Sequence, residues 1–109
     1  MFARRLAVVL AVSALVAVAW PSVSAADGQA RGPACVQVTA SAPYDGTGYS
    51  HIVHIDNRCA AAAICSVSTD VNPTPVQTRV PAGESTDVIT WRGSPARVFV
   101  PSVSCALEG

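Results

Sequence analysis

From Cys35 onward the apolar and polar residues alternate in short runs, and turn-forming residues separate the runs. "CVQVTA" sets Val36 and Val38 against Gln37 and Thr39, the period of two that a half-buried strand imposes. "PYDGTG" (43–48) centres on Asp45-Gly46, a hairpin signal. "YSHIVHID" (49–56) is a second strand, rich in Tyr, Ile and Val. "NRCAAAA" is ambiguous: alanine favours helix, but so short a run does not nucleate one, so a loop or a single helical turn is expected. "ICSVST" is a third strand, broken at "DVNPTP" because Pro73 and Pro75 lack the backbone donor. "VQTRV" alternates again, "PAGE" turns the chain, and "STDVITW" is a fifth strand. After "RGSP", the segments "ARVFV" and "SVSC" form a last strand interrupted by Pro101, which assigns it to an edge or a bulge. Residues 26–34, "ADGQARGPA", are small and turn-prone and are predicted to be a flexible N-terminal arm ahead of one domain, 35–109.

Six or seven short strands without an amphipathic helix predict an all-β fold, a small antiparallel β-sandwich. The expected core is Val36, Val38, Ile52 or Val53, Ile55, Val67, Val80, Val88, Trp91, Val98 and Val100. A strand run, a polar turn, a Pro-containing loop and "VPAGES" before another strand, within residues 49–91, resemble the immunoglobulin-like or fibronectin-like accessory domains of exported proteins. That resemblance implies a two-sheet sandwich in a supporting or binding role.

The first residues change the picture of where this domain works. Met1-Phe2-Ala3-Arg4-Arg5 is a short positive segment, Leu6 to Trp20 is apolar but for Ser13, and Pro21 followed by "SVSAA" offers small residues for cleavage. This is the layout of a secretory signal peptide over residues 1–25; a membrane anchor needs about 20 apolar residues. Cleavage there leaves no membrane span in the mature chain, and export to the periplasm, cell envelope or medium is expected. Beyond residue 25 there are five arginines, seven acidic residues and no lysine, scattered singly. No basic stripe exists to meet a phosphate backbone, so nucleic acid is not an expected partner.

Cys35, Cys59, Cys65 and Cys105 make an even count in a small exported domain, which reads as two disulfides. The spacing contains no C-x-x-C knuckle for a metal. Loop entropy separates the three pairings by only about 1 kcal/mol and does not choose among them. Position favours Cys35–Cys105, opening the first strand and closing the last, with Cys59–Cys65 across the "AAAAI" link.

"SHIVHIDNRC" (50–59) holds both histidines. His51 and His54 are three apart, so on a strand they face opposite sides. His54 and Asp56 share a face and are the weak metal candidates. Ser50, His54 and Asp56 also share a face, but Ser50 and His54 lie about 13 Å apart at about 3.3 Å per residue, too far for a nucleophile and its base. No Gly-x-Ser-x-Gly elbow or paired carboxylates occur. Neither catalysis nor a cofactor is expected.

Two stretches suit docking of an unknown protein partner. Asp70, Val71, Asn72, Pro73, Thr74 and Pro75 form a candidate binding loop, which its prolines stiffen and so make cheaper to order. "TWRGSPAR" (90–97) is a second candidate, with Trp91 and two arginines as anchors, but the preferred reading puts Trp91 in the core and leaves the arginines solvated. The expected function is an exported, non-catalytic β-sandwich domain acting by protein binding or as an envelope or extracellular component. The alternatives are a secreted protease inhibitor using the Pro-rich loop 70–76, and a small metal-binding protein using His54 and Asp56.

Overall fold

Seven strands run through residues 29–109, the part of the chain that the computed structural model describes. They are β1 (Gln29–Arg31), β2 (Val36–Ser41), β3 (Tyr49–Asn57), β4 (Ala63–Thr69), β5 (Val76–Val80), β6 (Ser85–Ser94) and β7 (Pro101–Leu107). One sheet has the order β1-β7-β4-β5 and the other β2-β3-β6. Every pairing is antiparallel except β1 with β7, which is parallel. The two sheets enclose a core of Val53, Ile55, Ala63, Cys65, Val67, Val80, Phe99, Val103 and Cys105, with Val36, Val38 and Val88 packed against it. The fold is all-β and sandwich-like. Its strand order is not that of an immunoglobulin constant domain: there the first strand pairs with the second, here with the seventh.

Period two explains most of this. On β3 the odd positions His51, Val53, Ile55 and Asn57 are buried, and on β4 Ala63, Cys65, Val67 and Thr69 are. Asp45-Gly46 stands at the tip between β2 and β3, as expected: Asp45 N–H donates to Gly48 O at 2.9 Å and Tyr44 bridges to Tyr49. Within "NRCAAAA" (57–63), residues 58–62 are a loop without helix, and Asn57 and Ala63 belong to the flanking strands.

Several expectations are corrected. Both disulfides pair otherwise than Cys35–Cys105 and Cys59–Cys65: the bonds are Cys35–Cys59 and Cys65–Cys105. The register gives the reason. Cys65 stands directly opposite Cys105 on β4 and β7, while Val36 pairs with Asn57 and Arg58 N–H donates to Cys35 O. The first bond closes the open end of the β2–β3 hairpin, and the second links neighbouring strands.

The arm expected over 26–34 carries a strand at Gln29–Arg31, paired to Ser102–Ser104. Gly32 explains how it fits: a Cβ there would stand 2.8 Å from the Cys105 carbonyl oxygen, so only glycine lets the chain pass so close. The expected signal peptide, 1–25, lies outside the described residues.

Trp91, Val98 and Val100 are not core; they are 44%, 66% and 40% exposed. Val88 and Trp91 are an odd number of residues apart, so one regular strand cannot turn both inward. Val88 points in and Trp91 out. Near Val98 the buried residue is Phe99, because 95–100 is an irregular crossover outside both sheets and β7 begins only at Pro101.

Candidate functional site

The two histidines face opposite sides of β3, and their surroundings differ accordingly. His51 is fully buried, its ring stacked on Phe99 with centroids 4.3 Å apart. Its Nε2–H donates to the Ala96 carbonyl oxygen at 2.8 Å, and Nδ1 is buried without a partner. The crossover 95–100 is held down by this ring. Ser94 helps, its buried hydroxyl accepting the Ala96 N–H at 3.0 Å. His51 is therefore a packing element at one end of the sandwich.

His54 stands on the outer face of the β2-β3-β6 sheet, between Thr39 and Asp87 in the register. Its Nδ1 meets Asp87 Oδ1 at 2.5 Å, both side chains about half exposed. Asp56, its expected metal partner, is held instead by Arg58 at 2.9 Å. Ser50 is buried and donates to Asp45 Oδ2 at 3.0 Å. The residues that looked like one site in "SHIVHIDNRC" thus have four separate sets of partners. No group of three His, Cys, Asp or Glu gathers in ligating geometry among the described residues.

The candidate loop 70–75 joins β4 to β5 and is fastened in its first half, at Asp70 and Asn72. Asp70 and Val100 exchange two hydrogen bonds: Val100 N–H donates to Asp70 Oδ1 at 2.7 Å and Asp70 N–H to Val100 O at 3.1 Å. Thr69 and Asn72 close a turn, Thr69 N–H donating to Asn72 O and Asn72 N–H to Thr69 Oγ1. Val71 packs on the core. Asn72 Nδ2 donates to the Thr90 carbonyl oxygen at 2.8 Å. Val71 and Asn72 are half-buried, while Asp70 and the tip Pro73, Thr74 and Pro75 are exposed to solvent.

Strand β6 is the second component. The β3–β6 register shifts around His51, so that His51 faces Trp91 while Ile52 faces Ile89. Such an irregularity re-aims side chains. Thr90 turns inward, buried, its hydroxyl donating to His51 O at 3.2 Å. Ile89 and Trp91 on either side of it project outward, 42% and 44% exposed. The Asn72–Thr90 hydrogen bond therefore brings together the two docking candidates of the sequence, the Pro-rich loop and Trp91. Seventeen residues of chain separate Asn72 from Thr90, and no local pattern announces the contact.

Acidity is clearly perturbed at the β2–β3 turn and at the Arg79–Glu108 pair. The Thr47 backbone N–H, then the Thr47 and Ser50 hydroxyls, hold the Asp45 carboxyl below the usual range. The Arg79 guanidinium does the same for Glu108, and Glu108 raises Arg79. What the edge offers is exposed Ile89 and Trp91 on an edge strand, with the Pro73–Thr74–Pro75 loop tied beside it through Asn72.

The chain matches no protein family, no curated protein and no solved structure. The two disulfides fit an oxidising environment, and no helix among the described residues is long and apolar enough to cross a membrane.

Proposed function

We propose that this protein is an exported, non-catalytic binding module that docks a protein partner on the edge formed by Trp91, Ile89 and Pro73–Thr74–Pro75. The observation that carries this reading is the Asn72–Thr90 hydrogen bond, which fixes a stiff exposed loop beside an exposed tryptophan. Buried tryptophans dominate the energetics of interfaces, and a pre-ordered loop loses little entropy on docking. The signal-peptide layout of residues 1–25 and the two disulfides support action outside the cytoplasm, in the envelope or the medium. The resemblance to accessory sandwich domains enters here as a shared kind of role, with a different strand order.

A protease is the one partner class for which the loop has a specific feature. Pro73–Thr74–Pro75 is exposed and follows a tethered stretch in which Asp70 and Asn72 are both hydrogen-bonded to other parts of the fold, a base of the kind an inhibitor loop needs. Inhibition by the wild-type protein in a panel of secreted proteases, lost on cleavage of the loop, would select this case.

The general test is chemical cross-linking in the culture medium and envelope fraction of the producing organism, with wild-type protein and Trp91→Ala. A partner captured by the wild type and lost with Trp91→Ala supports the reading. Equal capture by both proteins removes this edge from the function.

A further inference from the structure

The outer face of the four-stranded sheet is built differently from the Trp91 edge. β4 and β7 alternate buried Cys65, Val67, Val103 and Cys105 with outward Ser66, Ser68, Ser102 and Ser104. Antiparallel register sets Ser66 opposite Ser104 and Ser68 opposite Ser102. Four hydroxyls therefore stand at the corners of a rectangle about 5 Å across the strands and about 7 Å along them.

The neighbouring strands carry longer groups. Arg31 on β1 is aligned with Ser104, and Pro75 comes from the loop before β5. Short side chains flanked by longer ones make a trough. A cavity of about 260 Å³ lies there, lined by Arg31, Pro75 and the four serines over Val103. The four serines line the trough, and their hydroxyls make no hydrogen bond to another described residue.

The chemistry of the lining selects a ligand class. Arg31 presents a planar set of donors that matches the oxygens of a carboxylate or phosphate, and serine hydroxyls add further donors. No acidic side chain lines the trough, although acids outnumber arginines beyond residue 25. We propose that the trough binds an oxyanion, a phosphate or carboxylate group, held by Arg31 and the hydroxyls of Ser66, Ser68, Ser102 and Ser104. The site touches the docking edge at Pro75, but none of its proposed ligating groups belongs to that edge.

The test is an amide NMR titration of the exported, disulfide-bonded protein with sodium phosphate and, separately, sodium acetate. Ionic strength is held constant with sodium chloride. Saturable shifts are expected at Ser66, Ser68, Ser102 and Ser104, with none at Gln37 and Thr39 on the opposite sheet. Arg31→Gln should weaken binding at least tenfold, and Arg58→Gln should leave it unchanged. Saturation by one salt alone assigns the group as phosphate or carboxylate. Shifts that stay linear with both salts, or an affinity that Arg31→Gln does not change, would overturn the proposal. The paired variant Ser66→Ala with Ser104→Ala checks the hydroxyls, and full affinity in that variant would also overturn it.

Discussion

Asn72 ties the loop between β4 and β5 to strand β6, its side-chain N–H donating to the Thr90 carbonyl oxygen at 2.8 Å. The same side chain accepts the Thr74 N–H at 3.4 Å. One residue thus shapes the loop and fixes where it lies. Asn72→Ala should cost about 1 kcal/mol of stability and expose residues 70–75 to limited proteolysis. A urea titration and a protease digest read the two effects. A loop as resistant as the wild type would mean that Asp70 and Val100 hold it alone.

Asn57 is the most committed polar residue of the core. It is fully buried, its Nδ2 facing the carbonyl oxygens of Ala61, Val80 and Pro81 at 3.0, 3.0 and 3.2 Å. Its Oδ1 accepts the Cys59 N–H at 2.9 Å. Asn57→Ala strands several buried groups at once, and a loss of about 3 kcal/mol is expected. Asn57→Asp replaces the donor with an acceptor facing the same carbonyls and should be at least as damaging. Denaturant midpoints measure both. A change below about 0.5 kcal/mol for either would refute the packing described here.

Disulfide mapping by mass spectrometry should return Cys35–Cys59 and Cys65–Cys105. Removing either bond is expected to cost about 2–5 kcal/mol. The second should cost more, because its sequence separation is 40 against 24 and Cys65 is fully buried. The chain-entropy part of that difference is only about 0.5 kcal/mol; the rest comes from the hole left in the core.

Acid should weaken the fold through two carboxylates. Asp45 is held below its ordinary range chiefly by the Thr47 backbone N–H, and Glu108 chiefly by the Arg79 side chain. A depressed folded-state value means that the contribution is complete above the unfolded-state value and lost as pH falls through the folded one. Stability should therefore be flat in this respect near neutral pH and decline below about pH 4. Asp45→Asn should make that decline shallower in denaturant titrations at successive pH values. An unchanged slope would show that Asp45 makes no such contribution.

Alternation of residue types carried most of the fold. β2, β3 and β5 fall where period two put them, because strand faces must sort apolar from polar. The failures were those of parity and distance. Trp91, Val98 and Val100, expected inside, each sit one step along the chain from the buried Thr90 or Phe99; within Val98-Phe99-Val100 composition cannot detect such a slip, and at Trp91 the residue that is buried is the polar Thr90. The disulfides depend on which strands become neighbours, and that follows from a topology in which β7 sits between β1 and β4. The docking edge was visible only as two separate stretches. Asn72 and Thr90 meet through a side chain and a backbone carbonyl, and a carbonyl has no signature in sequence.

Trp91 supplies the most direct measurement. With Trp20 in the expected leader, Trp91 is the lone tryptophan of residues 26–109, so its fluorescence reports the proposed edge alone. In the free protein, emission should be that of a partly exposed indole, readily quenched by acrylamide. When a partner captured by cross-linking is added, the emission should shift to the blue and become protected from quenching. A partner that binds while Trp91 stays as quenchable as before would contradict docking on this edge.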